Sequence, residues 1–471
     1  MLSTVQDLVD IAPRVTGTRG GRKASSYVAD RFRRAGLRDV HFERATSYNW
    51  MPSKFGLSVD GQQIDAFPVS HSLIKGESTP GRTTLGALGR TAPIVDIGPL
   101  PLGGIDVRDR FVMFDLKFQL PLAALAAVME FFWDPALELV NATTLLTANP
   151  YLTSLESTYA DAMSAGAAGV IVVLADYFES NRYHNEFYRG TAFKIPGMFV
   201  TRKTGASIRA SLRADSQATM KLTVVRKEVV ARTVVGFLPG RTKDTLMVQS
   251  HHDSQGPGAV EDGTGTAEVI ALADYYGTLA RRPGYVRRDK TLMFITFDTH
   301  FTGYQSHIAF AQKYLIQRRT PYRIVANATI EHVGKKAVIG GRGQLRTLDQ
   351  SEPRGIFESL NPALKASLAE ILVANDLRAS ALLNASPFLP VGIPTDASFA
   401  VLAGIPVASL IAGPLYMYDE ADTMDKVDVG QLRPVARAFQ QLIDLMDATP
   451  SDLIGLAPAP VLDALPLPLL G

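Results

Sequence analysis

Beyond residue 230 the chain alternates short apolar runs with amphipathic stretches. Strands are expected at Thr245–Ser250, Thr291–Phe297, Ile324–Ile330 and Val407–Ile411, and helices over 264–280, 303–318, 361–376 and 430–446. Apolar runs without alternation are buried on both faces, so the spacing predicts an α/β unit: a mostly parallel sheet covered by helices on both sides. Sites in such sheets lie beyond the carboxyl ends of the strands. Three strand ends carry polar residues: His251-His252-Asp253, Asp298-Thr299-His300 and Glu331-His332, with the loop Gly258–Gly265 between the first two. Carboxylates and imidazoles meeting there are costly to desolvate unless they are paired or hold a cation. A metal is the simplest explanation.

Composition narrows the metal chemistry. Cysteine is absent, which removes disulfides, thiolate nucleophiles and sulfur-ligated zinc; any ion must sit on nitrogen and oxygen. Lys plus Arg is 48 against 46 acids, a net charge of +2, no footprint for nucleic acid or an anionic membrane. The most apolar stretch, Leu120–Trp133, contains Pro121 and Glu130 and is too short to span a bilayer. No basic segment followed by an apolar one opens the sequence, so a cytoplasmic protein is expected. Oligomerisation is left open.

The segment from Arg14 to Val40 reads as a Gly-rich turn, an amphipathic helix with Ala24, Val28 and Phe32 at four-residue spacing, and a short strand at Val40–Phe42. Between about 84 and 226 the order changes: strand Val112–Asp115, a small-residue helix Tyr159–Gly169, strand Val170–Leu174, then strand, helix and strand to Val225. This order resembles the protease-associated domain. The expected division is therefore 1–80 with 228–450 as a discontinuous catalytic unit, 81–227 as the insert, and 451–471 as a Pro/Leu-rich tail. Within the insert, 118–155 is expected to be a hydrophobic helical insertion, either a packing element or a lid over a greasy substrate.

Several motifs resemble the aminopeptidase and glutamate carboxypeptidase superfamily of co-catalytic zinc exopeptidases. They are Thr245–Gly265 with its His-x-Asp-Ser and Gly-Ala-x-acid-Asp-x-x-Gly, Phe297–Gly303, Ile330–Gly334, Gly392–Asp396, Ala403–Val407 and Asp422–Val427. Such enzymes hold two zinc ions through a His, a bridging Asp, the second Glu of a Glu-Glu pair, an Asp after the third strand and a late His; the first Glu of the pair is the general base. Carried over, the resemblance puts His251 on the first His with Asp253 as its partner, Glu261 on the bridging Asp and Glu331 on the Asp after the third strand. It puts His300 on the general base, Phe301 on the second Glu and Tyr418 on the late His.

One metal set is thus kept, as His251, Glu261 and Glu331, and the other is lost to Phe301 and Tyr418. The expectation is one divalent ion, with zinc implied by the resemblance and manganese, iron, cobalt or nickel also compatible with nitrogen and oxygen ligands. His300 is assigned to acid/base work because it occupies the base position, the alternative being a second nitrogen ligand. Asp262 is the rival to Glu261. Asp396, Asp262 and His332 are placed against the substrate, and Tyr418 where it could stabilise an oxyanion. Strand alternation would point His252 and His332 to the opposite face, which makes them mainly structural. The function implied is a metal-dependent hydrolase of an amide or related carbon-nitrogen bond in a small-molecule or peptide-like, non-standard substrate. The alternatives are a catalytically silent binding or scaffold protein and a non-hydrolytic mononuclear metal enzyme.

Overall fold

The protein is described from a computed structural model, in which residues 1–76, 78–186 and 193–455 are placed. Four strands, Thr291–Phe297, Asp244–His251, Arg323–Ile330 and Val407–Ala412, lie side by side in that order and run parallel. All but the first residues of Asp244–His251 and Arg323–Ile330 are buried along their whole length, as expected of runs with no polar face. The helices Arg19–Ala35, Gly265–Ala280, Pro362–Ala374 and Val429–Ala448 cover the sheet. Antiparallel strands extend it on both sides: Gln217–Leu238 next to Thr291–Phe297, and Arg354–Glu358 next to Val407–Ala412. The sheet is therefore mixed, with its parallel centre where the sequence places it.

The expected strands at Val40–Phe42 and Ala218–Val225 are parts of two much longer ones. Arg38–Val59 and Gln217–Leu238 pair antiparallel over nearly their full length. Exposed charged residues along this ribbon, such as Lys54 and Glu228, break the apolar pattern that marks a strand when it is read alone. A second parallel group, Arg90–Gly98, Phe111–Asp115, Gly169–Leu174 and Gly197–Thr201, joins the ribbon through Arg90–Gly98.

The segment 118–155 is not the expected helical insertion. Phe118–Pro121 pairs with Ala148–Thr153, and Met129–Trp133 adds an antiparallel strand beside Ser380–Asn384. Helix is confined to the turn Leu122–Val128 and the short Ala142–Leu146. Pro121 and Pro135 limit any helix between them, and the aromatic run Phe131–Trp133 favours a strand. The tail expected over 451–471 lies outside the described residues from 456 onward. Among the described residues no helix is long and apolar enough to cross a membrane.

Candidate metal centre

The loop after Asp244–His251 is held from beneath by Arg14. This side chain is fully buried and donates to four backbone carbonyls: His252 (2.8 Å), Pro257 (2.9 Å), Gly258 (2.9 Å) and Leu8 (3.1 Å). From the other side the buried Asp422 carboxylate accepts from the backbone N–H groups of Val260 (2.9 Å) and Glu261 (2.8 Å). At Gly265 a Cβ would collide with the Ile330 carbonyl oxygen and the Asp262 carboxylate, so the helix that starts there packs against the third strand end only as glycine. These contacts fix where the Glu261 side chain points.

Among the described residues, the side chains that could hold a metal together are His251, Glu261 and His332, whose donor atoms lie within 4.8 Å of one another. All three are buried. The Nε2 atoms of both histidines and both Glu261 oxygens have no hydrogen-bond partner, although His251 Nε2 is 3.2 Å from Glu261 Oε1 and His332 Nε2 faces Oε2. Each imidazole is oriented by its other nitrogen: His332 Nδ1 by the Ala412 carbonyl (2.7 Å) and His251 Nδ1 by the Asp253 carbonyl (3.2 Å), with the Asp253 carboxylate at 3.4 Å. Such outer contacts are the usual way a metal-ligating imidazole is held. Two imidazole nitrogens and a carboxylate, buried and turned toward one another, suit a divalent cation. The space beside Glu261, between Ser254, Phe301 and Tyr418, is about 10 Å³, on the order of one water-sized occupant.

Without an ion these groups charge one another. Burial alone would raise the Glu261 carboxyl, but His332 and His251 hold it well below the usual carboxylate range. Burial alone would lower His332, but Glu261 pushes it up to about 9. A cation between them would replace these pairings.

This donor set differs from the expected one at a single position. Glu331 lies beside the group, and its Oε1 accepts from the Asp396 N–H (3.1 Å); burial and Asp396 push its carboxyl well above the usual range. His332 takes part instead because alternation stops before it. The strand ends at Ile330, and His332 has φ +59°, so its ring turns back toward Glu261. His252 does lie on the other side, with Nδ1 3.0 Å from Thr296 Oγ1. Asp262, the rival acid, accepts from Ser250 Oγ (2.6 Å), Gly265 N (3.0 Å) and His332 N (3.2 Å), a structural use that leaves Glu261 as the facing carboxylate rather than a substrate contact for Asp262.

The family model described as Peptidase family M28 matches residues 233–443. These residues form an M28 peptidase domain. The match places the domain in the aminopeptidase-like zinc metallopeptidase superfamily, on the plan of a metal-dependent peptide hydrolase. Three solved structures resemble nearly the whole chain. A Peptidase M28 precursor from Shewanella amazonensis SB2B is 19% identical with TM-score 0.66, over 97% of this chain and 95% of that one. BSAP, a zinc aminopeptidase from Bacillus subtilis, is 18% identical with TM-score 0.62, over 97% of both chains. An aminopeptidase from Aneurinibacillus sp. strain AM-1 is 19% identical with TM-score 0.57, over 94% and 92%. At these identities the likeness is one of fold. No curated protein matches the chain.

Within the M28 domain, His300 stacks on His251 with ring centroids 3.9 Å apart. Its Nδ1 is 3.0 Å from Asp396 Oδ1, and the other Asp396 oxygen is 3.0 Å from His307 Nε2. Its Nε2 is 3.5 Å from Glu261 Oε1. Phe301 is buried edge-on to His251, His300 and Tyr418, and its N–H approaches Asp253 Oδ2 at 3.3 Å. His251, Glu261, His300, Asp253, Asp396 and Tyr418 are thus brought to one place.

From outside the M28 domain come two side chains that the sequence reading misses. Glu186 lies 3.1 Å from His300 Nε2 and accepts from the hydroxyls of both Tyr304 and Tyr418. Tyr151 places its hydroxyl 3.1 Å from His332 Nδ1 and donates to the Ala412 carbonyl. Neither belongs to a spaced motif, so no local signal marks them.

Proposed function

We propose that the protein is a single-metal hydrolase that cleaves an amide or related carbon-nitrogen bond in a small or non-standard substrate. The observation that carries this reading is the buried convergence of His251 Nε2, His332 Nε2 and the Glu261 carboxylate, whose facing atoms, among the described residues, pair only with one another and with His300 Nε2. A divalent ion bound there would polarise a carbonyl and acidify a water. The chain's own residues do the rest. His300, fixed at Nδ1 by Asp396, holds or moves a proton at Nε2, which faces Glu261 and Glu186. Burial, which would discharge this ring, is outweighed by Glu186 and Asp396, which hold it charged in the ion-free protein. Phe301 and Tyr418 occupy the places where the resemblance puts the ligands of a second ion, which supports one ion rather than two and a substrate other than an ordinary peptide N-terminus.

The division into 1–80 with 228–450 and an intervening 81–227 belongs to this proposal. It makes Glu186 and Tyr151 contributions of the insert to a centre built by the catalytic unit.

Elemental analysis with a panel of amides and dipeptides tests the reading. The wild-type protein is expected to retain one ion per chain and to turn over at least one amide. His300→Ala is expected to keep the ion while turnover falls about 10²–10⁴-fold; equal loss of metal would make His300 a ligand. Tyr418→Phe, which removes one hydroxyl from Glu186 and from the reaction space, is expected to lower kcat about 10²–10³-fold with metal content unchanged. Unchanged kcat would remove Tyr418 from the chemistry.

The small space beside Glu261, about 10 Å³, favours a second reading, a metal-binding protein without turnover. Stoichiometric metal with no hydrolysis across the panel would select it.

A further inference from the structure

The segment 118–155 builds a second cavity, of about 290 Å³, against the hairpin that begins with Lys335–Ile339. Phe118, Leu122, Ala148, Ala337, Ile339 and Leu415 form its apolar wall. It has room for about ten water-sized groups, near the lower end of small-molecule sites.

Its charged lining is asymmetric. Lys336 is the one cation in the wall, and its ammonium donates to Thr144 Oγ1 (2.5 Å) and, at 3.5 Å, to the Glu138 carbonyl, which leaves one of its three hydrogens for an occupant. Of the two acids, Asp176 is already engaged by Lys117 Nζ (2.6 Å) and the Phe118 N–H (3.0 Å). The other, Glu352, has its carboxyl pushed up to about 8 by burial, against the opposing pull of the nearby Lys336 ammonium, so it is mostly uncharged near neutral pH. An apolar chamber with one ammonium at its wall complements an amphiphile with one negative charge.

The chamber also adjoins the metal centre. Gly413 lines it and lies against the Tyr151 ring, with an added Cβ reaching the ring at 2.8 Å. Tyr151 and His332 share the preceding Ala412 carbonyl. An occupant that reaches Gly413 would lie close to the side chain that helps orient His332.

We propose that this cavity binds a medium-chain carboxylate, with the alkyl chain among Phe118, Leu122, Ala337 and Leu415 and the carboxylate on Lys336. The site stands whether or not the metal centre is hydrolytic.

Isothermal titration of the full chain with octanoate tests it, with octylamine as the control of opposite charge. One octanoate per chain is expected, with binding at least tenfold weaker in Lys336→Gln and lost in Ala337→Trp, whose indole fills the chamber. Octylamine is expected not to bind. Absence of saturable octanoate binding, equal binding by Lys336→Gln, or equal binding by octylamine and octanoate would each overturn the proposal. So would undiminished binding by Ala337→Trp at a wild-type melting temperature; if that variant does not fold, Lys336→Gln decides.

Discussion

His251→Ala is expected to purify without its metal, with an affinity at least about a hundredfold below wild type. Loss of an outer contact to a ligand already costs about 10–100-fold, and this change removes a donor itself. His251 supplies one of the two imidazoles in the donor set, and what remains of that set is the His332–Glu261 pair. The neighbouring His252→Ala is the control. That ring contacts Thr296 on the other side of the strand, so its loss is expected to leave metal content near wild type. Metal analysis of both variants against wild type checks the pair. Retained metal in His251→Ala would remove this histidine from the site.

Arg14→Ala is expected to destabilise the fold by about 3–5 kcal/mol, a large share of the roughly 5–15 kcal/mol that holds a typical domain together. The substitution strips four buried carbonyls of their donor. It also opens a void beneath the loop that carries Glu261. Arg14→Lys is expected to rescue little, because a compact ammonium cannot spread its hydrogens over carbonyls on opposite sides of a planar fork. Chemical denaturation followed by circular dichroism measures the loss. A midpoint within experimental error of wild type would show that water satisfies these carbonyls and that the loop stands without Arg14.

The parallel centre of the fold is legible in the sequence because its strands are buried on both faces and stand out as apolar runs. Their polar ends then locate His251, Asp253 and His300, and the glycines of Gly258–Gly265 mark the loop that presents Glu261. Legibility fails where the reasoning outruns the local structure. His332 is assigned away from the site by extending strand alternation two residues past Ile330, where the backbone has already turned into the left-handed region. Glu331 is selected by position after the third strand, but the nearby Asp396 N–H engages its carboxylate. The long ribbon of Arg38–Val59 with Gln217–Leu238 is hidden because its stability comes from partners some 180 residues apart. Glu186 and Tyr151 are invisible for a similar reason. They reach the centre only through tertiary packing, and a single Glu in an irregular stretch or a single Tyr in a short strand carries no spacing to read. In 118–155, apolar content alone cannot separate a helix from short strands, and the prolines and the aromatic run decide.

Metal content combined with X-ray absorption at the metal edge tests the central claim most directly. One ion per chain, bound by two imidazole nitrogens and carboxylate oxygen, is the result predicted for His251, His332 and Glu261. Two ions with a metal-metal distance of about 3.5–4 Å, or a metal-replete protein that retains none, would contradict it.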